Sequence, residues 1–277
     1  MVEEALEKCK KYQKYNIFTS IDAENARKKA KEIDEKIANG EEVGRLAGVP
    51  YAAKDNFLTI NGMTTASSKI LEKFHAPLNA TVVEKLEKEG AILIGKTNLD
   101  AFAHGSSTEN SYFGVTHNSV DFERVAGGSS GGSAVAVALD IVQFTTGSDT
   151  DGSIRQPASF NNIYGIKPTY GAVSRFGIVS MGSSFDTAGF FAKDAKDLDL
   201  LMEISTGQDK YDTTTLPDFY NKADEPKKVK KIGIVKDFDN ESLSEEVRAI
   251  LYNQIEKLKD NGYEILELSM PILQYAL

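Results

Sequence analysis

One heptapeptide restricts the possible folds more than any other stretch of the chain: Gly127-Gly-Ser-Ser-Gly-Gly-Ser133. Alone, such a run is a flexible linker. Here it leads straight into Ala134–Leu139, read Ala-Val-Ala-Val-Ala-Leu, and a linker does not ordinarily sit between apolar segments of one domain. Its glycines permit backbone angles closed to other residues and a close approach of neighbouring chain. Its central hydroxyls, Ser129 and Ser130, can both donate and accept hydrogen bonds. The run therefore reads as a structured loop that opens an apolar helix from Ser133.

Other segments supply alternating strands and helices. Ala23, Ala26, Ala30, Ile33 and Ile37 recur at helical spacing over 22–38, and Gly40 closes the pattern. Residues 48–54 read as a strand, and 81–89 as a short helix with Val82, Val83 and Leu86 on one face. Residues 91–94 read as a buried strand, and 141–146 as a strand running into 147–153. Strands at 232–235 and 263–268 flank a helix over 244–259, whose apolar face is Val247, Ile250, Leu251, Ile255 and Leu258. This order predicts an α/β fold with a parallel or mixed sheet. Residues 207–226, polar and with two prolines, read as a connecting loop.

Composition excludes several function classes. The 277 residues carry a formal net charge of −9, which opposes direct binding to nucleic acid. The basic run Lys227, Lys228, Lys230 and Lys231 reads as a solvated strand entrance. The single cysteine, Cys9, precludes an internal disulfide and fits a reducing compartment. The three histidines, His75, His104 and His117, lack metal-ligand spacing, so no metal site is expected. The first fourteen residues are charged throughout, unlike a secretory leader, and no apolar run approaches the ~20 residues of a membrane span. A cytoplasmic protein without membrane association is expected.

Residues 90–97, Gly-Ala-Ile-Leu-Ile-Gly-Lys-Thr, match the phosphate-binding pattern G-x-x-x-x-G-K-[ST]. That pattern works as a loop after a strand, whose backbone N–H groups wrap phosphates. Here Ala91–Ile94 are apolar and read as the strand itself, so a nucleotide site is not expected.

Two further segments carry chemistry. In Gly48-Val-Pro-Tyr-Ala-Ala-Lys54-Asp55-Asn56, a lysine follows a short apolar strand. Burial would disfavour its ammonium and make it a base, although alone a lysine at a strand end reads more readily as a surface charge. In Gly147-Ser-Asp-Thr-Asp-Gly-Ser153-Ile-Arg-Gln-Pro157, a strand ends and a serine is presented beside consecutive backbone N–H groups. Acyl transfer needs that combination of nucleophile and oxyanion donors. Asp149 and Arg155 could pair to brace the turn. The plain alternative is an Asx-type turn with a structural ion pair.

Taken in order, these three segments resemble the amidase signature family. Supporting stretches are 91–98, 105–110 and 165–171, and the similarity runs from about Gly44 to Asp199, then more loosely onward. It implies the amidase signature fold, a mixed sheet flanked by helices on both faces (three-layer α/β/α). Residues 1–277 are expected to form one such domain: a helical segment over 1–43, a catalytic core over 44–206, a connecting loop over 207–230 and a β-α-β segment over 231–277.

The resemblance also implies roles. Lys54 matches the base, Ser129 the relay serine after a cis peptide bond, and Ser153 the nucleophile. The backbone of Thr150, Asp151, Gly152 and Ser153 matches the oxyanion hole. Gly105, Ser106, Ser107 and Asn110, with Glu109, match a substrate loop, and Asp149, Arg155 and Ser130 would support the site. Within the family the chain looks most like the A subunits of tRNA-dependent amidotransferases. Those imply glutamine as substrate, hydrolysed to glutamate and ammonia for transamidation of misacylated tRNA, and a heterotrimer with B and C subunits. ATP, Mg²⁺ and tRNA would then sit at the partner, and no cofactor on this chain.

Two departures qualify this expectation. The family usually has glycine where this chain has Asp151, and a carboxylate beside an oxyanion hole opposes the developing charge. Family members also continue past Leu277, so part of the substrate pocket and partner interface is expected outside this chain. A free-standing small-amide amidase and a catalytically impaired scaffold are the alternatives.

Overall fold

The structure, a computed structural model, describes residues 1–217 and 230–275. Contacts divide the chain into two units, Met1–Lys222 and Ala223–Leu277.

In the first unit the chain runs α1 (Val2–Lys11), β1 (Phe18–Ile21), α2 (Ala23–Ala38), β2 (Pro50–Lys54), α3 (Thr81–Lys88) and β3 (Ile92–Thr97). It continues with α4 (Gly131–Ala138), β4 (Phe144–Asp149), α5 (Arg155–Phe160), β5 (Tyr164–Ile166), β6 (Thr187–Ala192) and α6 (Ala195–Ser205). One sheet takes these strands in the order β1-β3-β2-β4-β6-β5. The central strands β3, β2 and β4 are parallel, whereas β1, β6 and β5 pair antiparallel with their neighbours.

Alternation along the strands builds two cores, because successive side chains leave opposite faces of a sheet. Ala52, Ile92, Ile94 and Phe191 pack with α1, α2, α4 and α5. Tyr51, Ala53, Leu93, Phe144, Phe190 and Ala192 pack with α3 and α6. This is the predicted three-layer α/β/α arrangement. Strands buried on both faces read as near-continuous apolar runs, and every residue of β2, β3, β4 and β6 is buried.

Helix boundaries follow their caps. Asp22 accepts from the Asn25 N–H at 3.1 Å and starts α2, one residue inside the predicted span. The predicted face of α3, Val82, Val83 and Leu86, is buried. Two predicted strands are displaced toward their C-termini: 91–94 becomes Ile92–Thr97, and 141–146 becomes Phe144–Asp149. The cause is the same in both. Gly-Lys-Thr and Gly-Ser-Asp continue the ladder as buried polar residues, which apolar patterning does not register. The apolar helix begins at Gly131, two residues before Ser133. The 1–43 segment also contributes the edge strand β1 between its two helices.

In the second unit β7 (Lys231–Val235) and β8 (Glu264–Leu268) pair in parallel, connected through α7 (Glu245–Asp260). Ser244 caps α7 by accepting from the Val247 N–H at 3.3 Å. Of the apolar face predicted for this helix, Ile255 is buried while Val247 and Ile250 are exposed. Residues 218–226 of the predicted connecting loop, with Lys227 and Lys228, lie outside the described residues; Lys230 and Lys231 are exposed.

Candidate active site

The parallel strands β2, β3 and β4 deliver their last residues, Lys54, Thr97 and Asp149, to one edge of the sheet. Lys54 is fully buried. Its backbone N–H is tied to Thr146 Oγ1 at 3.0 Å. Its Nζ donates to Ser129 Oγ at 2.7 Å, Ser148 Oγ at 2.9 Å and Ser148 O at 3.3 Å. No carboxylate is within hydrogen-bond reach of this amine among the described residues. Burial pushes Lys54 down to about 7, opposed by the more distant charges of Asp100, Asp149 and Asp186. An amine so placed exchanges its proton near neutrality.

Ser129 follows a cis peptide bond with Gly128, the geometry that the resemblance implied. Its neighbour Ser130 couples two of the segments read from sequence. The Ser130 N–H donates to Ser153 O at 3.2 Å, and the Ser130 hydroxyl to Ser148 O at 3.3 Å. Gln156, the second residue of α5, accepts from the Gly128 N–H at 2.9 Å. The Gly/Ser run is thus knitted to the stretch around Ser153 from both ends. Ser153 itself is 2% exposed.

The turn from 149 to 155 is organised by one carboxylate. Asp149, fully buried, takes Arg155 as a bidentate partner at 3.0 and 3.1 Å. It also accepts from the N–H groups of Gly152 at 2.9 Å, Ile154 at 3.0 Å and Arg155 at 3.3 Å. Burial alone would raise this carboxyl, but Arg155 and the backbone donors outweigh it and hold the group below the usual range. The predicted brace is therefore present, with a consequence for the oxyanion hole. The Gly152 N–H is committed to Asp149. Of the four backbone donors expected there, the N–H groups of Thr150, Asp151 and Ser153 remain without an acceptor among the described residues. Asp151 has an exposed side chain and lies outside the positive-φ region, so its β-carbon is accommodated. Thr150 is anchored through its hydroxyl to Asp186 at 2.6 Å. Asp186 also gathers Ser180 and the N–H groups of Met181 and Gly182, which hold it ionised despite burial.

The predicted substrate loop is placed less simply. Gly105 and Ser106 are exposed. The Ser107 N–H donates to Asp100 at 3.2 Å. Asn110 spends its side chain within the loop, accepting from the Ala101 N–H and donating to His104 O, both at 2.7 Å. Glu109 is exposed. Sequence reasoning missed Ser148, Asn56, Asp100 and Thr108. Asn56 donates to Ser148 Oγ at 3.0 Å. Ser148 lies inside a motif already singled out, where its position between Gly147 and Asp149 was the available signal.

Within the segment 90–97, Ile92–Thr97 form a strand and not the loop of a phosphate site, as its apolar residues implied. Lys96 is 1% exposed and commits its Nζ to Asp55 at 3.2 Å and Phe57 O at 2.7 Å. Among the described residues no three His, Cys, Asp or Glu side chains cluster to hold a metal ion. No helix among them is long and apolar enough to cross a membrane.

A lysine–serine pair at the carboxyl edge of a mixed sheet, inside three α/β/α layers, defines the class. The chain belongs to the Amidase family, whose model matches residues 1–277. It is 48% identical over 267 residues to one of the glutamyl-tRNA(Gln) amidotransferase A subunits of Clostridium acetobutylicum, that numbered 2, covering 95% of this chain and 56% of that protein. The crystal structure of the glutamyl-tRNA(Gln) amidotransferase A subunit from Thermotoga maritima superposes with a TM-score of 0.86 at 36% identity, covering 99% of this chain and 59% of the other. A crystal structure described as an amidase gives 0.86 at 38% identity, with 98% and 59% covered. The chain thus spans a little over half the length of these relatives.

Proposed function

We propose that this chain carries the amide-hydrolysing centre of a tRNA-dependent amidotransferase, with Ser153 as nucleophile, Ser129 as relay and Lys54 as base. One observation carries the reading: a fully buried Lys54, near neutrality, bonded to the hydroxyl of Ser129 at 2.7 Å. Neutral Lys54 accepts the proton of Ser129 while Ser129 accepts that of Ser153. Ser153 Oγ then bonds to the amide carbon. The free N–H groups of Thr150, Asp151 and Ser153 supply donors for the oxyanion; losing one such donor costs about 3–4 kcal/mol in hydrolases. When the C–N bond breaks, the relay returns a proton to the departing ammonia. Water hydrolyses the ester to the acid and regenerates the serine.

The likeness to A subunits supports glutamine as the amide and B and C subunits as partners, with ATP, Mg²⁺ and tRNA at the partner. A cytoplasmic location suits that role. Gly105, Ser106, Ser107 and Asn110 stay on the amide side of this reading as the loop that borders the site. The 38% identity to an amidase favours a second reading, a free-standing hydrolase of another small amide.

Treating the purified chain with a phenylmethylsulfonyl fluoride probe and mapping the adduct by mass spectrometry tests the centre. A single adduct on Ser153, lost in Lys54→Ala, is expected. An adduct elsewhere, or none, sinks the reading. Glutamine-dependent ammonia release that requires added B and C subunits separates the first reading from the second.

A further inference from the structure

We propose that Asp100 and Thr108 are positioning residues of this centre, forming a bracket that seats Ser129 against Lys54. The inference rests on the triad reading above and moves part of the predicted substrate loop into the support of the relay serine.

Asp100 follows β3 by three residues and is fully buried. Its backbone N–H donates to Ser129 O at 3.2 Å. Its Oδ2 accepts from the N–H groups of Ser107 at 3.2 Å and Thr108 at 2.9 Å. Thr108 then spans the Gly/Ser run with a single hydroxyl. That hydroxyl donates to Gly127 O at 2.8 Å and accepts from the Gly131 N–H at 3.1 Å. Gly127 and Gly131 stand two residues either side of Ser129, whose carbonyl Asp100 holds. The relay serine is therefore gripped at three successive points by two side-by-side residues. Thr108 sits at φ +59°, a region unfavourable for a β-branched side chain. The bond from its N–H to the Asp100 carboxylate helps keep it there. Space is reserved on both sides of the carboxylate: a β-carbon on Gly128 would collide with Asp100 Oδ2, and one on Gly105 with its Oδ1 and Cγ.

The bracket also has a charge. Asp100 Oδ1 is buried without a partner among the described residues. A buried acceptor oxygen left without a partner is costly to keep. Its effect falls on Lys54, which faces three carboxylates: Asp100 after β3, Asp149 at the end of β4 and Asp186 before β6. The hydroxyls of Ser129 and Ser148 complete its surroundings. Asp100 is the strongest of the three charges acting on Lys54, and it resists the loss of basicity that burial imposes.

Two measurements on the full chain test the bracket. The first follows the ¹³Cε signal of Lys54 against pH, assigned with Lys54→Met, and needs no turnover. Asp100→Asn keeps the acceptor but removes the charge, and should lower the Lys54 midpoint by about one pH unit. An unchanged midpoint overturns the charge role. The second is the rate of sulfonylation of Ser153. Thr108→Val, whose fold is checked by its melting curve, should slow labelling about tenfold or more, because small misplacements of reacting groups cost large factors. Thr108→Ser keeps the hydroxyl and should restore it. Equal rates in wild type and Thr108→Val overturn the bracket. A wild type that never labels, yet shows the Asp100→Asn shift, sinks the triad reading and leaves the electrostatic part of the bracket standing. A wild type that labels, with neither variant altered, does the reverse.

Discussion

Lys54 and Lys96 lie on neighbouring parallel strands, one register position apart, with Lys54 opposite Thr97 and Ala53 opposite Lys96. Both are buried to within 1%. Burial lowers the basicity of each. Their partners differ. Lys96 touches the Asp55 carboxylate at 3.2 Å, so its charge is matched in place. Lys54 touches hydroxyls and a carbonyl, and its nearest charges act from a distance. A buried ammonium needs a contacting anion to remain ionised. On the proposed reading, withholding that anion leaves Lys54 to serve as a base, while Lys96 is a rivet between strand and loop.

The largest effect that could break this comparison is the exchange of their roles on mutation. Lys54→Met should slow sulfonylation of Ser153 by about 10²–10⁴-fold, the range of a lost general base, without lowering the melting temperature. Lys96→Met should do the opposite. It strands Asp55 in the interior and should cost about 3–5 kcal/mol in chemical denaturation, with near-normal labelling per folded molecule. If Lys96→Met leaves stability intact, the rivet description fails.

Replacing both members of the ion pair sharpens the point. Asp55→Asn combined with Lys96→Met should recover a large part of the loss seen in Lys96→Met alone, since no unpaired charge stays buried. Urea titrations of the single and double variants give the answer, and equal midpoints would contradict it.

A pH series separates the lysines next. The base works neutral, so labelling should fall as pH drops through about 7, the value held by Lys54, and approach tenfold per unit well below it. The stability sign follows from the same group. Its folded value lies below the unfolded one, so the unfolded chain binds the extra proton between about 7 and the ordinary lysine range near 10.4. Stability should therefore gain from this group as pH rises through that window, by at most ~1.4 kcal/mol per unit. Lys54→Met should flatten that slope, which melting curves from pH 7 to 10 will register.

The smallest effect concerns the exposed Asp151. Asp151→Gly should raise the labelling rate only about two- to threefold, more at low salt, because solvent and ions screen an exposed carboxylate. A rate that stays level or falls would show that the Asp151 carboxylate does not oppose the reaction.

The residues of the candidate centre were singled out from the sequence for physical reasons that also explain what was not seen. Ser129 and Ser153 sit in short stretches where glycine and hydroxyls interrupt apolar runs, whereas Lys54, at the end of an apolar strand, was singled out through the family resemblance. The helices α2 and α3 follow a regular apolar period, and the caps Asp22 and Ser244 mark where α2 and α7 begin. The ends of β3 and β4 were misplaced because Lys96, Thr97, Ser148 and Asp149 are polar and yet buried within the sheet. Strand β6 escaped notice, since Thr-Ala-Gly-Phe-Phe-Ala carries no alternation when both faces are covered. Asp100 and Thr108 look ordinary in sequence. Their importance lies in bonds to residues 19 to 29 positions away, which no local pattern encodes. The commitment of Gly152 to Asp149 is a matter of geometry at one turn, so the four-donor expectation could not anticipate it.

The parallel run β3-β2-β4 has one more consequence. Because these strands point the same way, the segments that leave their carboxyl ends converge without any strand having to bend toward the others. Residues 98–130 and 150–154 leave strand ends on either side of β2 and bring Ser129 against Lys54 and Ser130 against Ser153. In evolutionary terms the sheet is a chassis: the ladder fixes where its strand ends lie, and loop residues that neither pack in it nor bind Ser129 can change while the lysine at the end of β2 still meets its serine.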